Sequence, residues 1–117
     1  VFYGTEAGLS GYKDPFNRKP YMWQNINYEL LNHYQTIGQM RKTFKEVFAT
    51  GKQEVSINPE IMKIVRFHNG KKIVGWINAC DYEVRVNEID TGGSEIININ
   101  NCSGKILNPY GAVVYFL

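Results

Sequence analysis

The sequence predicts a mainly β chain: an irregular aromatic segment, one helix, then a small antiparallel β-sandwich. Three observations carry this reading. Residues 4–26 are rich in Gly, Pro, Asn and aromatics, with no regular apolar period. From Asn27 onward, Leu30, Leu31, Tyr34, Ile37, Met40, Phe44, Val47 and Phe48 recur at three- and four-residue steps, which marks one apolar helix face. After Gly51 the chain breaks into short β-type runs separated by turn residues, a spacing that suits an antiparallel sandwich better than a parallel sheet.

Each element has a local reason. Val1, Phe2 and Tyr3 read as the tail of a buried strand, ended by Gly4. A loop of more than twenty residues then follows, and long loops in compact domains are more often functional than not. The helix has Asn27 as its cap and Gly51 as its stop, and Lys42 and Lys45 late in the helix suit the dipole. Gly38, costly in a helix interior, is expected to mark close packing. Strands are expected near 53–57, 61–68, 71–79, 82–89, 95–99, 104–107 and 112–117. Asn69-Gly70 between apolar runs signals a two-residue hairpin, and "SINPE", "DTGGS" and "NPYG" are further turns. The expected division is 1–51 and 52–117.

Composition narrows the function classes. Thirteen basic residues balance eleven acidic ones, without clustering, so neither nucleic acid nor a membrane surface is an expected partner. No apolar run reaches the ~20 residues of a membrane helix, and the opening residues lack the pattern of a signal peptide. Cys80 and Cys102 lack zinc-site spacing and read as free buried thiols. His33 and His68 read as solvated or hydrogen-bonded side chains, and Gly92-Gly93 leads into a strand rather than a phosphate-binding helix. No metal or cofactor is expected.

The stretch "GYKDPFNRKPYMW", residues 11–23, is different. Pro15 and Pro20 remove two backbone donors and favour extended conformations at Asp14 and Lys19. Arg18 offers a planar fork of donors and Asp14 offers acceptors, among Tyr12, Phe16, Tyr21 and Trp23. Sugars present apolar ring faces and dense hydroxyls, which such a set matches. The same residues serve equally as an ion pair over packed aromatics, and composition leaves both open. Glu6 and Asp14 are the loop's two acids. Nothing around them supplies the apolar pocket that would raise one pKa for glycosidic acid catalysis.

Here the sequence resembles a known family. "VFYGTEAGLSGYKDPFNRKPYMW" is similar to the segment after the last barrel strand in the α-amylase family, glycoside hydrolase family 13. The shared pattern runs Tyr3-Gly4-Thr5-Glu6, Gly8 and Gly11, Asp14-Pro15-Phe16-Asn17-Arg18, Pro20 and Trp23. "LLNHYQTIGQMRK" resembles that family's final barrel helix, and the run ending "NPYGAVVYFL" its C-terminal antiparallel domain. The neopullulanase, amylopullulanase and maltogenic amylase group is nearest in flavour. Thr5, where many of that group have Asp, and "TFKEVFATG", where a His-Pro break is commoner, are departures; the second suggests a longer helix.

The resemblance implies the strand end, loop and last helix of a (β/α)8 barrel, followed by a Greek-key antiparallel β-sandwich. It implies a parent enzyme that cleaves α-glucosidic bonds in starch-like glucans with retention. The family's catalytic carboxylates would all lie upstream of Val1, so residues 1–117 are expected to be non-catalytic. Asp14 and Arg18 match positions that contact substrate in relatives, which makes an α-glucan the expected partner. Apart from a barrel, the loop and residues 1–3 would expose apolar surface, so self-association through the exposed strand is a further expectation. The competing reading is a carbohydrate-binding β-sandwich module. Its discriminator is whether Trp76, Tyr82, Tyr110 and Tyr115 form an exposed row. Alternation in "AVVYFL" puts Val113 and Tyr115 on one face and Val114 and Phe116 on the other, both apolar, which favours core.

Overall fold

The structure, a computed structural model, describes residues 2–117. It divides into two compact units, residues 1–43 and 44–117. Residues 44–51 fall within the second of these units, whose contacts they share with the sheet.

The first unit opens on a 3-10 turn, Thr5–Ala7, bracketed by Gly4 and Gly8, each at φ 83°. Left-handed backbone of this kind is where glycine costs least. Phe2 and Tyr3 are exposed and form no strand, whereas a buried strand end was expected there; Val1 lies outside the described residues. The Phe2 carbonyl instead accepts from the Thr5 amide at 3.2 Å, a local turn contact rather than a strand ladder. Helix α1, Tyr28–Thr43, begins as expected: Asn27 Oδ1 accepts from the Leu30 amide at 3.0 Å. Gly38 has nothing within 4 Å of the place where a Cβ would stand, so it marks no close packing.

The expected single helix breaks at Phe44 (φ −105°, ψ 35°), and a short helix α2, Lys45–Thr50, follows. The break sets the Phe44 ring 4.7 Å from that of Phe116, and Val47 is buried. Gly51 ends α2 with an extended backbone (φ −67°). Its reason for being glycine is space: a Cβ would lie 2.2 Å from the Val47 carbonyl oxygen and 3.0 Å from that of Phe67.

The sheet holds β1 (Lys52–Ile57), β2 (Ile61–His68), β3 (Lys71–Asn78), β5 (Ser94–Ile99) and β7 (Ala112–Phe116), in the antiparallel order β1-β2-β3-β7-β5. Between β2 and β3, Asn69 (φ 48°) and Gly70 (φ 76°) make the two-residue turn that the sequence predicts. β4 (Val84–Arg85) and β6 (Ile106–Leu107) pair with each other as a separate two-stranded ribbon. The runs 82–89 and 104–107 are thus mostly irregular. Their apolar residues still reach the core: Val86, Ile89 and Leu107 cluster with Val65, Val74, Trp76, Val113 and Tyr115. Burial of each such side chain is worth about 1.5–3 kcal/mol, with or without ladder hydrogen bonds.

The core therefore sits on one sheet face, beneath the ribbon and its flanking loops. On the other face, α2 covers one end: Arg66 Nη1 donates to the Phe48 carbonyl at 2.8 Å, and Glu46 lies 3.7 Å from Lys71 Nζ. Val113 and Tyr115 are buried while Val114 and Phe116 are half-buried, as the alternation predicts. Cys80 is half-buried, Cys102 is buried, and both are free thiols.

Candidate functional site

The loop of the first unit is built on backbone contacts rather than on a hydrophobic core. The Leu9 amide donates to the Gly4 carbonyl at 2.8 Å, and the Asn27 amide to the Ala7 carbonyl at 3.0 Å. This ties the turn to the start of α1, and Ala7 is fully buried at the junction. Tyr3 Oη donates to the Lys19 carbonyl at 2.8 Å, and Lys19 Nζ to the Ser10 carbonyl at 3.1 Å. Gly11 allows the two limbs to meet, since a Cβ there would stand 2.8 Å from Asn17 Cα.

On this frame the chain folds through two tight turns, with amides of Phe16 and Arg18 donating to the carbonyls of Lys13 and Pro15, each at 3.0 Å. The Asp14–Pro15 peptide is cis. Arg18 and Asp14 are brought together: Arg18 Nε donates to Asp14 Oδ1 at 2.6 Å, while both side chains stay largely open to solvent. Tyr12, Phe16 and Trp23 are exposed, and the Tyr21 and Trp23 rings lie 4.7 Å apart. Asn17 Oδ1 is buried without a hydrogen-bond partner. The loop thus presents planar charged groups and apolar ring faces together at the surface. That combination can hold a polyhydroxylated ring.

Glu6 is engaged within the loop. It is half-buried, and its carboxylate takes up the Tyr21 hydroxyl. Burial, then the Glu6 charge and this hydrogen bond, push the Tyr21 hydroxyl above its ordinary value. The histidines are likewise occupied locally: the His33 ring lies edge-on to Tyr34, and both His68 nitrogens lie within 3.4 Å of Thr50 Oγ1. Among the described residues no three His, Cys, Asp or Glu side chains are grouped to hold a metal ion.

In the second unit a groove of about 450 Å³ runs over the β1–β2 side of the core face, lined by Glu54, Ser56, Lys63, Trp76 and Glu88 among others. Trp76 is only 5% exposed and is roofed by Lys63 Nζ, 4.4 Å from the ring centre; Lys63 in turn pairs with Glu88 at 3.2 Å. Its face is taken, so it serves the core, as the sequence predicts. Tyr115 is also buried, whereas Tyr82 and Tyr110 are exposed. The four aromatics form no common row.

The sequence reading missed Asn78, which organises this end of the sheet. It is 1% exposed, and its Nδ2 donates to the carbonyls of Tyr82, Leu107 and Asn108 at 2.8, 3.2 and 3.0 Å, while Oδ1 accepts from the Cys80 amide at 2.8 Å. The available signal was a single polar residue closing the apolar run of β3.

No family model matches the chain. Over 77 residues it is 32% identical to an amylopullulanase from Thermoanaerobacterium thermosulfurigenes, covering 64% of this chain and 4% of that protein. The fold is similar to that of a maltogenic amylase from S. marinus, with a TM-score of 0.79 and 26% identity over 99% of this chain and 16% of that one. It is also similar to a cyclic α-maltosyl-(1→6)-maltose hydrolase from Arthrobacter globiformis, with a TM-score of 0.77 and 19% identity over 100% of this chain and 26% of the other. The chain thus spans a small part of each relative. Sequence and fold together are consistent with a C-terminal segment of an enzyme of the α-amylase family, glycoside hydrolase family 13.

Proposed function

We propose that residues 1–117 form the non-catalytic, structural C-terminal part of a retaining hydrolase of starch-like α-glucans, with Asp14 and Arg18 contacting the substrate. The observation that carries this is the solvent-open Arg18–Asp14 pair, held at 2.6 Å on a braced loop among exposed aromatics. An exposed ion pair contributes little to stability, so its geometry is free to serve a ligand. Arg18 keeps further guanidinium donors, and Asp14 a second oxygen, for sugar hydroxyls.

In this reading residues 1–51 complete the catalytic barrel and residues 52–117 buttress it. Support comes from apolar surface that the chain itself leaves uncovered: Phe2, Tyr3 and Ile37 in the first unit, and Val55, Ile57 and Ile77 on the sheet. Neither Glu6 nor Asp14 has a companion carboxylate in an apolar pocket, which fits a segment without the catalytic centre. The test is Arg18→Ala and Asp14→Ala in the longer enzyme carrying this segment. A fall in kcat/KM on maltodextrin of at least about tenfold, with unchanged folding, supports the contact role. Wild-type kinetics in both variants would refute it.

A further inference from the structure

Lys19, the residue after Arg18, is tied to the opening turn at two points. Its carbonyl accepts from Tyr3 Oη at 2.8 Å, and its Nζ donates to the Ser10 carbonyl at 3.1 Å. Tyr3 precedes the 3-10 turn Thr5–Ala7 and Ser10 follows it, so one residue fastens both ends of that segment to the proline-rich limb. Gly11 lets the limbs close, since a Cβ there would also stand 3.3 Å from the Phe16 carbonyl oxygen.

These bonds are poor candidates for a stabilising role. Tyr3 is 47% exposed, Lys19 is exposed, and hydrogen bonds in that setting compete with water. No residue from Ser10 to Pro20 is buried, and only Asn17 is half-buried, so apolar packing does not set the shape of this limb. What the bonds fix is the backbone on the C-terminal side of Arg18. On its N-terminal side the Arg18 amide donates to the Pro15 carbonyl at 3.0 Å. Pro20 narrows Lys19 further, to extended conformations. Arg18 is thus held from both sides along the chain, with its Nε on Asp14 Oδ1 as a third point.

We propose that Tyr3 and Lys19 are positioning residues, and that the Tyr3–Lys19–Ser10 strap presets Arg18 for the glucan. This rests on the substrate contact of Arg18 proposed above. A guanidinium on an unbraced loop gives up loop and side-chain freedom on binding, which weakens affinity; a strap settles most of that loss during folding. Tyr3 acts through one atom, so Tyr3→Phe removes the tie and keeps the ring. Lys19→Met removes the Nζ donor, and Lys19→Arg retains a donor.

The strap itself is read in the 117-residue chain by amide hydrogen exchange. Tyr3→Phe and Lys19→Met should each speed exchange at Phe16 and Arg18 by about fivefold or more, with the amides of α1 unchanged. Exchange at Phe16 and Arg18 no faster than in wild type would overturn the strap. Its use is read in the longer enzyme on maltodextrin. There Tyr3→Phe and Lys19→Met should each lower kcat/KM by roughly three- to tenfold, and Lys19→Arg should stay within about twofold of wild type. In an Arg18→Ala background Tyr3→Phe should bring no further loss, because it acts through Arg18. A loss that carries undiminished into that background would overturn the positioning role and leave the Arg18 contact standing. So would wild-type kinetics in Tyr3→Phe beside an impaired Arg18→Ala. An Arg18→Ala enzyme equal to wild type would overturn the contact reading, and the positioning role with it.

Discussion

Arg18 Nε lies 2.6 Å from Asp14 Oδ1, yet the two side chains are 70% and 59% exposed. A pair in that setting is screened by water and holds the loop only weakly. Arg18→Ala and Asp14→Asn should therefore each change the unfolding free energy of the 117-residue chain by less than about 1 kcal/mol in urea melts. A larger loss would make the pair a structural tie.

Two glycines of the helical region should respond oppositely to alanine. At Gly51 the added Cβ would meet the Val47 carbonyl oxygen at 2.2 Å, backbone that cannot swing aside. Gly51→Ala is expected to cost about 2 kcal/mol or more. At Gly38 nothing stands within 4 Å, and Gly38→Ala should stabilise the chain by about 0.5–1 kcal/mol. Thermal melts of both variants check the pair.

Asn78 satisfies three carbonyls and one amide from a site 1% exposed. Asn78→Ala should cost about 2–4 kcal/mol by leaving buried groups unpaired. Asn78→Asp should do no better, because a carboxylate has no hydrogen for those carbonyls. Urea denaturation of the two variants distinguishes this network from mere packing, which Asp would preserve.

Three tyrosines are held above the ordinary phenol value of 10.0. Hydrogen bonds to Cys80 and then Glu60 lead for Tyr82, burial and then Glu95 for Tyr115, and burial and then Glu6 for Tyr21. In each case the fold favours the protonated hydroxyl. That stabilisation is fully present below the ordinary value and is lost as pH rises through the higher folded one. Phenolate absorbance should accordingly show a late-titrating fraction that shrinks in Tyr82→Phe and in Glu60→Ala. A titration unchanged by either variant would contradict the Tyr82–Glu60 bond.

The sequence made local features legible and left non-local ones hidden. β2 and the Asn69-Gly70 turn follow from alternation and from the left-handed tolerance of Asn and Gly, information held within ten residues. The Asn27 cap is equally local. The break at Phe44 carries no proline or glycine; it follows from the fit of Phe44 against Phe116, far along the chain. The run 82–89 alternates like a strand, but only Val84–Arg85 finds a partner, so Val86 and Ile89 enter the core from irregular backbone. At the loop, the four-residue spacing of Asp14 and Arg18 made their meeting foreseeable. The Asn78 network joins residues up to 30 positions apart, and no local pattern announces it.

The most direct measurement is hydrolysis of maltodextrin and pullulan by the 117-residue chain and by the longer enzyme that carries it, each with Arg18 intact and as Arg18→Ala. The expected result is activity in the longer enzyme alone, reduced there by Arg18→Ala. Hydrolysis by the 117-residue chain itself, or an Arg18→Ala enzyme indistinguishable from wild type, would contradict a non-catalytic segment whose loop contacts the glucan.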